Sequence, residues 1–302
     1  MGALLHRNQM DLKLLLSLKD IDPRQVIVMR HSPSEATLAK AIRWLAVEKP
    51  DVFNAYQQTQ GKRVENTMLG LVGQGYVASF IAYGSGKALF VGLYSIGEAK
   101  PLTVEEYWKV PAHIELRGYG MEGFKPTPER KQVYWFDMPL TEHFAEWKGK
   151  LVIGWPKGRN WCFHAEKKVM PIIAINEESV LEPAMPEWDA INLSLEELKA
   201  LSSKWRSALA QWRGIYYIFD QSDSKGYVGS AYGAENIYGR WSEYAENGHG
   251  GNMLLMNRNP SNFKFSILQR VSPDMSEEEV ITLESSWKGR LNTRHPLGLN
   301  RN

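Results

Sequence analysis

The chain has 302 residues, of which 43% are hydrophobic and 23% charged, so it can bury a core and general disorder is excluded. Its net charge of +2 does not indicate a strongly basic nucleic-acid-binding protein, although a local basic patch stays compatible with such a protein. Cys162 is the single cysteine and no apolar run reaches a membrane span, so we expect a cytoplasmic protein with no membrane contact, no signal peptide and no internal disulfide.

The first 190 residues are predicted to form one region with two parts. Residues 1–60 read as mostly helical, because leucines and alanines recur at helical spacing, and a short strand is predicted at Gln25–Met29. Residues 65–182 change to short apolar runs broken by Gly and Pro, which predicts a barrel-like arrangement of many short strands. His113–Leu116 is one of these predicted strands.

A connecting helix and a smaller domain over residues 212–302 are predicted next. Ser194, with Glu three residues later, forms a capping box, and the periodicity predicts one helix over residues 191–211. Two strands joined by a polar turn, a third alternating strand and a last helix capped by Ser276 follow. The expected fold class is therefore α+β: a helical and β-rich region, then a small α/β domain whose three-stranded antiparallel sheet is flanked by helices.

Four separated motifs in the last third of the chain carry the chemical signal. In chain order they are Gly214-Ile215-Tyr216, Tyr227-Val228-Gly229, Arg240-Trp241 and Glu284 followed three residues later by Trp287. Taken singly, they read as strand aromatics, a solvated arginine and a surface carboxylate. Their order and spacing together resemble the GIY-YIG nuclease superfamily over roughly residues 212–302, with Val228 where the family has Ile. The continuation Gly229-Ser230-Ala231 is similar to homing-endonuclease members.

The resemblance implies a role for each residue in the hydrolysis of a phosphodiester bond. It makes Tyr216 the general base or the group that orients the attacking water, and Tyr227 a group that positions the phosphate or supports Tyr216. Arg240 offers donors matched to phosphate oxygens. Glu284 is the acid expected to hold one Mg²⁺, for which Mn²⁺ is expected to substitute. Because an unperturbed phenol has a pKa near 10, the role of Tyr216 as a base requires a nearby cation or metal.

Three further residues complete the expected catalytic site. Tyr244 lies four residues after the arginine on the same helix face, where many members carry His or Tyr. His249 resembles a further family histidine and is expected to be catalytic or to bind phosphate, the alternative being a solvated residue of a Gly-rich loop. Asn300 stands where a family asparagine is expected, with a functional or a site-bracing role, although Asn292 and Asn302 compete for this position.

The β-rich part of the first region resembles the PUA-like barrels, a superfamily that includes modified-base readers. The resemblance rests partly on a basic turn, with Lys157 and Arg159, that lies between Trp155 and Trp161. In the expected arrangement the cations meet DNA phosphates while an aromatic ring stacks on an exposed base. The alternative is that both tryptophans belong to the barrel core and the basic turn is a solvated hairpin tip.

These expectations combine into a Mg²⁺-dependent DNA endonuclease of restriction or phage-defence type, whose first 190 residues recognise a sequence or a modified base. A double-strand break needs two catalytic sites, so we expect a homodimer or a higher oligomer, at least on double-stranded DNA. Two alternatives stay open at this point: a structure-specific repair or recombination nuclease, and a non-catalytic protein that binds modified DNA.

Overall fold

The computed structural model describes residues 10–158, 160–182 and 184–301. This part of the chain divides into two compact units, with the boundary between residues 183 and 184. Both units combine helices with sheets, which confirms the predicted α+β class. Within the described residues, no helix has both the length and the apolar character that a membrane crossing requires.

The first unit contains six helices and eight strands among its described residues. The Asp11 carboxylate caps the first helix, since it accepts a hydrogen bond from the Leu14 amide at 3.1 Å. In chain order the elements are α1 (Leu12–Ser17), β1 (Val26–His31), α2 (Ala36–Glu48), α3 (Pro50–Gln58), α4 (Lys62–Leu69), β2 (Tyr76–Ala82), β3 (Lys87–Ser95), β4 (Ala99–Leu102), α5 (Val104–Tyr107), α6 (Pro111–Gly118), β5 (Val133–Phe136), β6 (Leu151–Gly154), β7 (Cys162–His164) and β8 (Ile172–Ile175).

Six of these strands form one mixed sheet with the order β7-β1-β2-β3-β6-β8, and β4 pairs with β5 separately. β1 and β2 run parallel, whereas the other ladders are antiparallel. Val28, Phe80 and Phe90 from this sheet share a core with Leu12 and Leu16 of α1. Among the described residues no ladder joins β7 to β8, so the predicted short strands form a sheet whose closure into a barrel stays a prediction.

One predicted strand of this unit is wrong and another is confirmed. The predicted strand at Gln25–Met29 is present as β1. His113–Leu116 instead lies in α6, which begins at Pro111. Proline favours the first helical position, because its fixed φ suits a helix and its missing amide hydrogen is not needed there. His113 and Leu116 both face the interior. The sequence of this short buried helix face therefore resembles that of an apolar strand.

His31, at the end of β1, is a buried histidine whose titration affects the stability of the chain. Because the Gln57 Oε1 atom can only accept, the His31 Nε2 atom donates across the 3.2 Å contact between them. Burial lowers the pKa of His31 to about 4, and the hydrogen bond to Gln57 opposes this shift. An unfolded histidine has a pKa near 6.5, so the unfolded chain binds more protons between the two values.

We therefore expect the free energy of unfolding to fall as the pH drops from about 6.5 towards about 4, by up to about 3 kcal/mol. Urea unfolding measured across this window tests the expectation. His31→Gln removes the titrating group and is expected to flatten the dependence. An equally steep fall in the variant would contradict the assignment.

The second unit contains four strands and four helices among its described residues. In chain order they are β9 (Asn192–Ser194), α7 (Leu195–Lys199), α8 (Ser203–Gln211), β10 (Gly214–Asp220), β11 (Lys225–Ala231), α9 (Asn236–Asn247), β12 (Phe263–Arg270) and α10 (Glu277–Arg290). The strands form one antiparallel sheet with the order β11-β10-β12-β9. The three predicted strands are confirmed, β9 adds a short fourth strand, and β11 is left at one edge.

The helix predicted over residues 191–211 is wrong as one continuous element. The structure has β9 followed by the two short helices α7 and α8. Ser194 caps α7 through the predicted capping box, and Ser202 caps α8. Each serine favours a new helix start, because its side chain satisfies an otherwise free backbone amide. Leu198 and Leu209 lie in the core of the second unit, so both helices are part of that unit.

The sheet of the second unit has a helix packed against each face. Successive residues of a strand point to opposite faces. Tyr216 and Ile218 of β10 share a core with Trp241 of α9. Ile215 lies on the opposite face and packs with Val280 of α10. Both helices also contact the edge strand β11.

Candidate active site

Three tyrosines meet on the face of the sheet that α9 covers. Tyr216 of β10 is 0% exposed, and its hydroxyl oxygen lies 3.2 Å from that of Tyr244 on α9. The ring centroid of Tyr227, on β11, lies 6.3 Å from that of Tyr216. Tyr227 is half-buried and reaches solvent, whereas Tyr216 and Tyr244 are buried.

Two glycines make room for these rings. Gly229 pairs with Tyr216 across the β10–β11 ladder, and a Cβ atom there would lie 2.4 Å from the Tyr216 Cζ atom. A Cβ atom at Gly250 would lie 2.6 Å from the Tyr244 Cζ atom. Both distances are too short for a residue with a Cβ atom. Gly229, the last residue of the second triplet, is therefore needed for the Tyr216 ring to lie across β11.

Burial keeps these phenols neutral. It raises the pKa of Tyr216; the neighbouring Tyr227 adds to the rise and the Arg240 guanidinium opposes it. Burial also raises the pKa of Tyr244, and Tyr216 adds to that rise. A neutral phenol both donates and accepts a hydrogen bond. Tyr216 is therefore suited to orient a group in the site, and a phenolate base would need a further positive charge.

Arg240 on α9 is the cation beside the tyrosines. A hydrogen bond from the Arg240 side chain to the Tyr216 phenol lowers the pKa of Tyr216, so the guanidinium lies against the phenol. Its side chain is 34% exposed and forms an ion pair with Glu243, which is 49% exposed. Exposed ion pairs of this kind are weak, whereas a guanidinium binds phosphate through two parallel hydrogen bonds. An arriving phosphate can therefore replace Glu243 as the partner of Arg240.

Glu284 of α10 reaches the same edge of the sheet from the opposite face. One of its carboxylate oxygens accepts a hydrogen bond from the hydroxyl of Ser230 on β11. The other lies 2.7 Å from the Nζ atom of Lys288, and the Glu284 side chain is 16% exposed. Burial raises the pKa of Tyr227, and the Glu284 carboxylate raises it further. The Glu284 carboxylate is thus close enough to Tyr227 to influence its phenol.

Ser230 and Lys288 are contacts of Glu284 to which the sequence analysis gave no role. Lys288 follows Glu284 by four residues, a spacing that places two side chains together on a helix, so this signal was present. Ser230 lies on a different element, and only the packing of α10 on β11 brings the two side chains together.

The donor set at Glu284 fits a hard divalent cation. Mg²⁺ prefers oxygen ligands, and it is commonly held by one or two carboxylates with waters and phosphate oxygens. The described residues contain no group of three or more His, Cys, Asp or Glu side chains placed to hold a metal. A site here would therefore consist of the Glu284 carboxylate, with water and substrate supplying the other ligands.

Asn300 braces the edge strand and does not face an open site. Its side-chain oxygen accepts from the Val228 amide at 2.9 Å, and its side-chain nitrogen donates to the Val228 carbonyl oxygen at 2.8 Å. Asn300 is buried, and its backbone is held by Thr293 and His295. The amide side chain thereby makes the two hydrogen bonds that a neighbouring strand would make with β11, at the residue next to Tyr227. Of the two expected roles, the geometry favours site bracing.

We expect Asn300→Ala to lower the free energy of unfolding by about 2–4 kcal/mol, because two buried backbone groups lose their partners. Urea denaturation measures this change. Asn292→Gly is the matched control, since Asn292 is exposed and has a positive φ of 53°, which glycine tolerates. Equal stability of Asn300→Ala and the wild type would contradict the bracing role.

His249 lies in the loop after α9, beside Gly250, and is half-exposed. Its Nδ1 atom accepts from the Gly251 amide at 3.0 Å, so Nε2 carries the hydrogen of the neutral ring. No contact among the described residues joins His249 to Tyr216 or Arg240. Its role in catalysis or phosphate binding stays a prediction.

The DNA-contacting residues predicted in the first unit differ in their environments. Trp155 is 6% exposed, and its Nε1 atom donates to the Asn160 carbonyl oxygen at 3.1 Å, so the prediction of a base-stacking surface at Trp155 is wrong: the ring belongs to the core. Trp161 is 36% exposed and Lys157 lies exposed in the turn after β6. Arg159 lies outside the described residues.

A hairpin with two tyrosines, a guanidinium and a helix carboxylate at one sheet edge fits an enzyme that hydrolyses phosphodiester bonds. Residues 213–297 match the GIY-YIG catalytic domain family, so the second unit contains a GIY-YIG nuclease domain and the chain is an endonuclease. This match confirms the expectation of a DNA endonuclease.

A similar solved structure is the catalytic domain of the homing endonuclease I-TevI. It is 29% identical to this chain, and the match covers 30% of this chain and 98% of that chain with a TM-score of 0.26. No curated protein matches the chain.

Proposed function

We propose that this chain is a divalent-metal-dependent endonuclease of restriction or phage-defence type, which cuts double-stranded DNA under the direction of its first unit. The observation that carries the proposal is that Tyr216, Tyr227 and Arg240 group on one side of β11, while Ser230 of the same strand holds Glu284. Cleavage of a phosphodiester needs a positioned water, neutralisation of the phosphate charge and stabilisation of the leaving oxygen. The two tyrosines, the arginine and the glutamate offer a group for each task.

Arg240 is the residue that first binds the scissile phosphate. The guanidinium exchanges its exposed partner Glu243 for two phosphate oxygens. This movement uncovers the hydroxyl of Tyr216, which is buried in the free protein. The neutral phenol then accepts a hydrogen bond from the attacking water and is itself held in place by Tyr244. Tyr227, at the solvent side of the group, contacts the phosphate.

Glu284 holds the metal in this proposal, and Mg²⁺ is the expected ion, with Mn²⁺ as a substitute. A bound divalent cation supplies charge neutralisation at the phosphate and lowers the pKa of a coordinated water. Ser230 fixes the orientation of the carboxylate through its hydrogen bond. Lys288 compensates the Glu284 charge in the free protein, and a bound ion would take over that compensation.

The first unit is proposed to select the DNA site. A nuclease domain of 85 matched residues offers little surface beyond its active site, whereas a separate compact unit precedes it. One active site cuts one strand, so two copies of the chain are proposed to act together on a duplex. A role in restriction or phage defence, in the cytoplasm, follows if selection depends on sequence or on base modification.

Digestion of unmodified and modified genomic DNA, followed by sequencing of the ends, tests this proposal. We expect cuts at fixed positions with Mg²⁺ or Mn²⁺, none in EDTA, and a loss of about 10²- to 10³-fold in rate for Arg240→Ala at saturating DNA. Glu243→Gln, which removes only the exchangeable partner, is the control and should cut at least as fast as the wild type. Cleavage confined to branched DNA would indicate a structure-specific nuclease, and binding without cleavage a non-catalytic protein.

A further inference from the structure

The first unit contains a cavity of about 690 Å³ whose lining comes entirely from that unit. Its volume lies within the range of about 300–1,000 Å³ typical of ligand pockets. Rings form much of its wall, and such a wall favours a planar ligand, since bases stack on aromatic side chains. The aromatic lining residues are His31, Tyr56, Tyr107, Phe124 and Trp161.

Arg30 brings to this pocket a positive charge that packs on an aromatic ring. Its guanidinium lies over the Trp155 ring, 5.0 Å from the centroid, and its buried Nε atom has no hydrogen-bond partner. No ion pair of Arg30 occurs within the described part of the chain. The Arg30 amide donates to the Trp161 carbonyl oxygen at 2.8 Å, so the two residues, which both line the pocket, lie on paired backbone segments.

The other two cations of the lining are already paired. Arg130 lies 2.6 Å from a carboxylate oxygen of Glu65, and Lys125 lies 2.6 Å from one of Glu122. Of the cationic side chains that line the pocket in the described residues, Arg30 is the one that makes no ion pair, so an incoming anion can reach it without displacing a carboxylate.

Glu35 brings an acceptor to the same pocket. Its carboxylate accepts from the Ser34 hydroxyl at 3.2 Å and makes no ion pair within the described residues. Burial raises the pKa of Tyr56, and the Glu35 carboxylate raises it further, so the two groups lie close together. A carboxylate accepts hydrogen bonds from an exocyclic amino group, as it does from cytosine N4 in DNA recognition.

We propose that this pocket receives one amino-bearing nucleobase extruded from the DNA duplex. The base stacks on the aromatic wall, Glu35 accepts from its amino group, and Arg30 binds the phosphate of the extruded nucleotide. The inference rests on the proposed function, because it takes DNA as the substrate, and it identifies the pocket by which the first unit would read that DNA.

Fluorescence anisotropy with the full chain in EDTA tests this inference without cleavage. The probes are labelled duplexes of one sequence whose central pair is C·G, C·A or T·T. A mismatch lowers the cost of extruding a base, so the wild type is expected to bind the C·A duplex about tenfold more tightly than the C·G duplex. The T·T duplex, whose mismatched bases have no exocyclic amino group, is expected to gain less. Glu35→Met, which removes the acceptor oxygens, is expected to remove this difference.

Two variants and two matched controls assign the preference to the pocket. Arg30→Gln removes the free cation, and Gly61→Trp places an indole at the wall, where a Cβ atom meets nothing within 4 Å. Both are expected to abolish the preference for C·A. Arg24→Gln removes an exposed charge outside the pocket, and Gly118→Trp adds an indole in open space elsewhere. Both controls are expected to keep the preference.

Equal binding of the three duplexes by the wild type would overturn the inference, as would a preference that survives Gly61→Trp. Binding of free dCMP as tightly as the C·A duplex would also overturn it, since the pocket would then serve a small nucleotide. A chain that cuts DNA but shows no preference contradicts this inference alone. A chain that shows the preference but never cuts contradicts the proposed nuclease activity alone.

Discussion

Replacing Glu284 by Gln is expected to lower the DNA cleavage rate about 10³-fold at saturating Mg²⁺. The amide keeps the size of the side chain and its contact with Ser230 but loses the charge that holds the cation. Metal binding at a phosphate provides several kcal/mol of transition-state stabilisation, and each 1.4 kcal/mol or so corresponds to a tenfold change in rate. Single-turnover cleavage of a supercoiled plasmid over a range of Mg²⁺ concentrations measures the effect.

Glu278→Gln is the matched control for this prediction, because Glu278 lies on the same helix and is exposed. It is expected to cleave like the wild type. The Mg²⁺ concentration that gives half of the maximal rate should be lower for the wild type than for any residual cleavage by Glu284→Gln. Undiminished cleavage by Glu284→Gln at all Mg²⁺ concentrations would remove Glu284 from the site.

Tyr216→Phe is expected to lower kcat about 10²-fold and to leave KM nearly unchanged. Positioned proton-transfer and hydrogen-bonding groups contribute about 10²- to 10⁴-fold, and a neutral orienting phenol belongs at the lower end. KM is preserved because Arg240, which binds the phosphate, is intact. Burial raises the pKa of Tyr216, so no ionisation of this phenol near neutral pH contributes to the wild-type profile. The pH–rate profiles of the variant and the wild type should therefore be parallel between about pH 6 and 9.

Tyr217→Phe provides the control on the same strand, since Tyr217 points to the opposite face of the sheet. It is expected to retain wild-type kcat. Thermal unfolding of both variants checks that the loss of one hydroxyl, worth about 1 kcal/mol when hydrogen-bonded, leaves the chain folded. A Tyr216→Phe variant that is folded and fully active would show that the hydroxyl has no part in the reaction.

The sequence predicted the parts of the second unit that local signals specify. The hairpin followed from two β-rich runs around a polar turn, and α10 from the capping box at Ser276, which the structure reproduces. The candidate site residues could be named because the family motifs carry them. Their meeting around an edge strand could not be derived, because it depends on how α9 and α10 pack on opposite faces.

Other features escaped prediction because tertiary contacts decide them. β9 has three residues, and its pairing with β12 depends on a partner about 70 residues later in the chain. His113–Leu116 was assigned to a strand because a short apolar run does not distinguish a strand from a buried helix face. Trp155 looked available for stacking beside a basic turn, but only the packed core shows that its ring is covered.

The pocket of the first unit had little sequence signal. Trp161 belongs to the run with the basic turn, whereas Arg30 and Tyr56 lie on other segments and belong to no recognisable motif. Which of the cations meets a carboxylate depends on the segments that the fold brings together.

We expect the phenol of Tyr216 and the carboxylate of Glu284 to act in one active site. Single-turnover cleavage by the double variant Tyr216→Phe/Glu284→Gln, compared with both single variants, tests this expectation. Residues that act as a unit have non-additive effects. We predict that the double variant is little slower than Glu284→Gln alone. A loss equal to the product of the two single losses would show independent action and would contradict the shared site.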